Sequence, residues 1–560
     1  MKKIILILGI IFLLVGVSIN SSIGIIIDKK SNKPRCTDNT LYVGGEGPGN
    51  FTQIQDAIDH AYDGDTIFVY HGIYKEHLTI KKKINLIGEN KTSTIIQGKN
   101  EDEDLVYVES DMVNINGFTI LHSTYLNYGI YVSDSEYCCI SNCILRSINS
   151  MDAICLRYSN NNHILNCSIS NSNADIRISD SQGNIISNCS LKGSKADIEI
   201  IHSSNNFISN CCLDEGSLLI RDSWDNIISS CKIFDNINEG GIGIQISYST
   251  NCTFRNNSLE NLGIIFNVNF LYEYYHDIDT SNTIDGKPIY YLLEECNREF
   301  NATMDIGYIG LISCKNITVK NISLYSAVIG NTSSTTIKDC SFYQNFYGVD
   351  IGLSMNNLVT NCDFSIYNPV RIFKSSNNII SDCKMLIGSE YGFGVYIDYY
   401  SSNNIVSNCS ISNFDVGILI GGESHNNTVV GCNISYNDQC GIWVSSSNNI
   451  VYHNNLLYNT LNALDGDKNN IWDDGKYGNF WSDYEERYPY AKPKLLKPWM
   501  WNIPYKIEGW NSKDNCPLVN QWPKPKSKDI PNNKVILSSP LLRFLERYAL
   551  IQYILQRIEL

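Results

Sequence analysis

Two acidic phrases 22 residues apart, Asp175-Ile-Arg177 and Asp197-Ile-Glu199, hold residue types from which polysaccharide-cleaving chemistry is built. Hydrolysis of a glycosidic bond needs one protonated carboxyl to donate and one ionised carboxylate to activate water or attack. A cation-assisted lyase needs clustered acids with an Arg or Lys as base. On an alternating strand Asp175 and Arg177 would share an outward face, and Asp197 and Glu199 would repeat it one unit later. That quartet would hold a cation such as Ca²⁺, or a uronate. The same residues also read as an alternating-charge ladder worth ~0.2–1 kcal/mol per cross-strand pair, and a surface charge cluster alone points no further. The ladder is the reading that the spacing favours. Tyr396 and Trp443 form a second candidate set. Exposed rings on a ridged sheet offer apolar area with a polar edge, which suits sugar stacking, although the same rings would also pack beneath a loop.

Other chemistries find no pattern. The nine histidines and seven methionines are scattered, with no His-x-His or Met-rich run, so no metal site is predicted. Apart from Ca²⁺ at the acid pair, no cofactor is implied. A formal charge of −15, from 43 basic and 58 acidic residues, argues against a nucleic-acid partner. Phosphate-binding loops and nucleophile elbows are absent.

The elements that would position these residues come from a repeat. Asn184-Ile-Ile-Ser-Asn-Cys189, Asn206-Phe-Ile-Ser-Asn-Cys211 and Asn378-Ile-Ile-Ser-Asp-Cys383 are one phrase, and variants of it hold Cys143, Cys167, Cys231, Cys340, Cys362, Cys409 and Cys432. The cysteines are spaced 24, 22, 22 and 20, then 22, 21, 26 and 23. A period of this length marks a solenoid, and short alternating runs such as Ile176-Arg-Ile178 and Ile198-Glu-Ile200 mark strands rather than helices. The predicted fold is all-β, a right-handed parallel β-helix. Aliphatic columns would fill its interior, and buried thiols would act as small hydrophobes, with disulfides between coils as the alternative. The Asn184, Asn206, Asn226, Asn357 and Asn378 columns would occupy left-handed corners and link adjacent coils through their amides.

The chain divides accordingly. Residues 1–27 pair Lys2 and Lys3 with an uncharged stretch, which fits a secretory signal cut near Ser21 or Ser22 and equally a retained membrane anchor. Either way the bulk of the chain is expected to be exported. Residues 36–125 read as an N-terminal helix cap with the first coils, 126–262 and 311–460 as repeats. The span 263–310, rich in Tyr and lacking the phrase, reads as an insertion that leaves the coil and returns. A Trp- and Pro-rich C-terminal cap (461–520) and a linker (521–538) follow. From Ser539-Pro540 onward, Leu541, Phe544, Tyr548, Ile551, Leu555 and Ile558 form the apolar seam of an amphipathic helix over 539–560, suited to self-association or surface attachment.

Leu41-Tyr-Val-Gly-Gly, Ile54-Gln-Asp-Ala-Ile58, Gly64-Asp-Thr-Ile-Phe-Val-Tyr70 and Ile84-Asn-Leu-Ile-Gly-Glu89 resemble the first coils of exported β-helix proteins of the NosD-type family and the wider pectin-lyase-like superfamily. Asp277-Ile-Asp-Thr-Ser-Asn-Thr-Ile-Asp-Gly-Lys-Pro288 resembles a NosD-type phrase, and Gly478-Asn-Phe-Trp-Ser-Asp-Tyr484 is similar to a phrase of archaeal surface proteins. The resemblance implies the same fold and does not choose among lyases, hydrolases and non-enzymes. It departs after Tyr484, where Glu485-Glu-Arg-Tyr-Pro replaces an acidic, calcium-type run, so no cap calcium site is implied. The expected role is a cell-surface scaffold that binds a polysaccharide or cell-envelope glycan. A lyase or hydrolase of the superfamily is the alternative, and a NosD-like accessory factor for exported metalloenzyme assembly is a third reading.

Overall fold

The computed structural model describes residues 39–522, apart from 99–102, 123–127, 148–151, 195, 236–240, 344–345 and 387–391. The expected signal or anchor and the tail helix lie outside the described residues. The chain is nearly all β, 51% strand against 3% helix, and winds through about 19 turns.

Each coil is three short strands. In one, Ala174–Ser179, Ile185–Ser187 and Ser190–Lys192 follow each other, and the next repeats them as Ala196–Ile201, Phe207–Ser209 and Cys212–Asp214. Register is parallel, with Ile176 on Ile198, Ile178 on Ile200, Ile186 on Ile208 and Leu191 on Leu213. These aliphatics are at most 1% exposed, so burial along the column drives the stacking.

The asparagines link the coils as amides do. Asn184 Nδ2 donates to Asn206 Oδ1 at 3.1 Å, and Asn206 to Asn226 at 3.0 Å. Asn357, Asn378, Asn404 and Asn427 continue the pattern at 3.0–3.1 Å. They do not take the left-handed corners, however. Positive φ falls on the residue before each: Gly183, Asn205, Asp225, Asn356 and Asn377, at 56–70°. The preceding residue makes the bend, which turns the ladder amide inward where water cannot compete for its bonds. Each described cysteine is a free thiol; Cys189 is 2% exposed, with Sγ 3.5 Å from the Ser187 carbonyl.

At the N-terminal end, helix Ile54–His60 buries Ile54, Ala57 and Ile58 over the first coil. Its first amides donate to the Glu76 carboxylate at 2.8 and 3.0 Å, an acid placed where a helix dipole favours it. At the other end Trp472, Trp481, Tyr484 and Tyr505 close the last coil, with Trp481 stacked on Tyr505 at 3.9 Å.

The span 263–310, read from the sequence as an insertion, holds the junction between two stacks of coils. Strands Leu262–Asn267, Asp277–Ile278 and Thr283–Ile284 complete the last coil of the first stack. Thr283–Ile284 then pairs antiparallel with Lys287–Leu293, the first strand of a long parallel sheet in the second stack. Strand direction reverses at this hairpin, and the sheet serves two cores. On strand Tyr308–Ile312, Ile309 and Leu311 face the second core while Tyr308 and Ile312 join the first. Strands Tyr308–Ile312 and Ser326–Gly330 are buried along their whole length. Glycines make room for the shared wall: a Cβ on Gly310 would lie 2.3 Å from the Tyr291 ring, and one on Gly352 would lie 2.3 Å from the Tyr274 hydroxyl and the Phe373 ring. Phe266, Tyr274 and Tyr291 thus cover the end of the first stack with the flank of the second.

Candidate functional site

The expected outward acid pair is not formed. Asp175 and Asp197 are both fully buried. Both are the second residue of their strand and keep its outward parity, but the preceding corner folds over them. Ser172 and Ser194 hydroxyls each donate to Asp175 Oδ1 at 2.5 Å, and the Lys192 amide donates to Oδ2 at 3.0 Å. Burial pushes the Asp175 carboxyl up to about 6 against those hydrogen bonds. One coil on, Gly216 stands in register where Ser194 stood, since Lys192 pairs with Asp214. Neither Asp197 oxygen has a hydrogen-bond partner. Burial first, then the charges of Asp175, Asp214 and Glu215, push its carboxyl up to about 9.

Arg177 and Glu199 do face outward, as a charge ladder. The Arg177 guanidinium meets Asp152 at 2.6 Å and Glu199 at 2.7 Å. Among the described residues no group of three or more His, Cys, Asp or Glu is placed to hold a metal.

Tyr396 leads elsewhere. On the outer face of the long sheet the register runs Asp350, Arg371, Tyr396, Leu419, Trp443. Tyr396 lines a cleft of about 270 Å³ between the two stacks. One wall is the end of the first stack, Asn267 to Asn269 with Tyr248; the other is strands Asn368–Phe373 and Phe393–Asp398 with Lys374 and Tyr399.

Two cations pin the walls together. Arg371 holds Asp350 through Nε at 2.7 Å and Nη2 at 2.5 Å, donates to the Phe266 carbonyl at 3.2 Å, and lies 4.4 Å over the Tyr347 ring. Burial opposes its charge, but Asp350 more than compensates and raises its pKa. Lys374 Nζ donates to the Asn269 carbonyl at 3.0 Å.

The Tyr396 hydroxyl donates to Asp398 Oδ2, and burial followed by that carboxylate raises its pKa well above the usual phenol value. Gly422 is required here, because a Cβ on it would lie 2.0 Å from Asp398 Oδ1. The cleft therefore presents Tyr rings, the Asn267 and Asn269 amides, one ammonium and one carboxylate. That set can stack on a sugar face and bond its hydroxyls. A single lining carboxylate does not make the pair that glycoside hydrolysis uses.

From the cleft the outer row continues through Leu419 to Trp443, two strands beyond Tyr396 and so about 10 Å away. Sequence reasoning placed Tyr396 and Trp443 on one face but missed Arg371, Lys374 and Asp398 as cleft residues, along with the opposite wall. Its partial signal was the Tyr-rich lapse of the repeat at 272–291.

The profile of a family described as "Right handed beta helix region" matches residues 104–217, 175–277 and 307–461. No curated protein matches the chain. Solved structures similar to it include the catalytic domain of GH87 alpha-1,3-glucanase in complex with nigerose, at 12% identity over 72% of this chain and 69% of that one, TM-score 0.32. The Yersinia enterocolitica Family 28 exopolygalacturonase is 12% identical over 60% of this chain and 71% of that one, TM-score 0.33. The DFA-IIIase from Arthrobacter chlorophenolicus A6 in complex with GF2 is 10% identical over 61% and 94%, TM-score 0.36. None of these likenesses assigns a role to a residue of this chain.

Proposed function

Because this chain belongs to the right-handed β-helix family, whose fold presents long ridged faces to solvent, we propose that it is an exported, surface-displayed scaffold that binds a glycan in the cleft between its stacks. The observation that carries this reading is the cleft itself, where Tyr396 and Tyr399 stand beside two asparagine amides, Lys374 and Asp398. The row through Leu419 to Trp443 extends the surface along the second stack, so the ligand is a polymer rather than a single sugar. With one carboxylate in the walls, binding is favoured over cleavage.

The test is retention of neutral and uronic-acid polysaccharides on the purified protein, with polymer length followed in parallel. One polymer is expected to be retained uncut, with affinity falling about tenfold in Tyr396→Ala and in Trp443→Ala, the loss of ~1.4 kcal/mol of stacking. Shortening of any polymer would replace the scaffold reading with an enzymatic one. Retention unchanged in both variants would remove the cleft from it.

A further inference from the structure

The C-terminal cap carries a hairpin whose base is packed, with Met500 and Trp501 buried, but whose tip projects into solvent. Strands Pro493–Lys494 and Lys497–Trp501 pair antiparallel, with Lys494 opposite Lys497, so Leu495 and Leu496 are the whole of a two-residue turn. Such turns favour Asn-Gly, Asp-Gly or another Gly-containing pair, whose backbones accept the conformation required. Two leucines are poor turn residues, and here they are also unprotected: Leu495 is 96% exposed and Leu496 89%. Tyr490, at the base of the hairpin, is 90% exposed. An isolated exposed leucine is ordinary, but adjacent leucines at a projecting tip form an apolar point that water disfavours.

The surrounding charge is equally one-sided. From Tyr488 to Met500 the chain has three lysines, Lys492, Lys494 and Lys497, and no acid, in a protein of formal charge −15. Lys492 and Lys497 are exposed. Lys494 lies along the hairpin with Nζ 2.8 Å from Met500 Sδ. Half-buried Trp499 sits on the returning strand. That ring packs against Tyr477 at 5.9 Å, so the exposed parts are an apolar tip, lysines around it and Tyr490, which together are the parts of an interfacial anchor. Leucines enter the acyl boundary, ammonium groups meet anionic headgroups, and amphipathic rings settle at headgroup level.

We propose that the 490–499 hairpin docks this protein on an anionic lipid surface, with Leu495 and Leu496 inserted and the exposed Lys492 and Lys497 on the headgroups. The lysines complement an anionic surface and the exposed leucine tip needs an apolar one beside it, and a lipid headgroup–acyl boundary offers both together.

The test uses the full chain with vesicles of phosphatidylcholine alone and of phosphatidylcholine with phosphatidylglycerol. Wild type is expected to partition onto the anionic vesicles, less so as salt rises. Leu495→Ser/Leu496→Ser should weaken this at least tenfold, and Lys492→Glu/Lys497→Glu should abolish the anionic preference. Because the leucines touch solvent rather than core, near-ultraviolet circular dichroism of the serine variant should match wild type. Leu496→Trp supplies a local readout. Its added fluorescence should be quenched by brominated acyl chains, whatever other part of the chain meets the bilayer. Equal binding to neutral and anionic vesicles, an added signal in Leu496→Trp that stays unquenched, or serine and wild-type proteins that bind alike would overturn the proposal. So would a serine variant whose only change is in self-association, which would assign the tip to a second copy of the chain.

Discussion

Replacing Asp197 by Asn should stabilise the protein, and by an amount that depends on pH in a way only a buried, unpartnered acid produces. Asp197 is fully buried, neither oxygen has a partner, and its carboxyl is pushed up to about 9. In the unfolded chain the same group ionises near 3.9. The folded state therefore binds a proton that the unfolded state releases between those values, and stability falls as pH rises through that window. At pH 7 the cost is about 3 pH units at 1.36 kcal/mol each, or about 4 kcal/mol. Since pH 7 lies below the folded value, the unfolded value alone sets that figure. Asn has the same shape and does not titrate, so it fits beside Gly216 as Asp does. Below about pH 3, where the carboxyl is mostly neutral in both states, variant and wild type should be nearly equal. The gap should widen by about 1.4 kcal/mol per pH unit from pH 5 to pH 8. Urea unfolding at each pH, followed by circular dichroism, measures it. A gap that stays constant over this range would refute the reasoning, because it would mean the folded protein accommodates the charged carboxylate.

Other parts of the structure make sharper mechanical claims. Gly352→Ala places a Cβ 2.3 Å from both the Tyr274 hydroxyl and the Phe373 ring, and should cost about 1–3 kcal/mol in thermal unfolding by overpacking the wall between stacks; an unchanged midpoint would contradict the shared wall. Asp350→Ala strands the Arg371 guanidinium, whose side chain is only 14% exposed, and should cost about 3–5 kcal/mol, measured by the same unfolding. Asn378→Ala removes one rung between Asn357 and Asn404, leaving buried groups unpaired at about 1–3 kcal/mol. Hydrogen exchange should quicken in the coils around 357–404 and not at the N-terminal cap; uniform protection would argue against a load-sharing ladder.

Much of this architecture was legible because a repeated phrase imposes itself on every coil. The Ile-x-Ile pattern of 176–178 and 198–200 gives strand and face, and the Asn and Cys columns give the stacking. What the phrase did not carry was conformation at the corners. Asp175 keeps the outward parity of Arg177, yet the corner residues Ser172 and Ser194 close over it, and strand alternation says nothing of where a corner folds. The left-handed residue was likewise displaced by one position from the conspicuous asparagine, onto Asn205, Asp225 or Asn377. The cleft was least visible. Its walls lie 105 residues apart, as between Phe266 and Arg371, and meet only because Thr283–Ile284 and Lys287–Leu293 reverse the strand direction. The traces left in the sequence were the tyrosines at 272–291 and glycines 310, 330 and 352 on successive coils, small residues kept where the flank of one stack meets the end of another.

The same junction makes coil number a ruler. Counting from Lys287–Leu293, strands Tyr308–Ile312, Ser326–Gly330 and Tyr347–Gly352 separate the hairpin from Asn368–Phe373. Each step raises the chain by ~4.8 Å. Lys374 reaches Asn269 because that count is right. A whole coil gained or lost beyond Tyr399 would leave the cleft walls in place and change only how far the outer row extends. One coil gained or lost between Ile312 and Phe373 would slide Lys374 and Arg371 a full step past their partners and dismantle the cleft without disturbing any single repeat. Copy number in that short interval is therefore under a constraint that no individual side chain reveals.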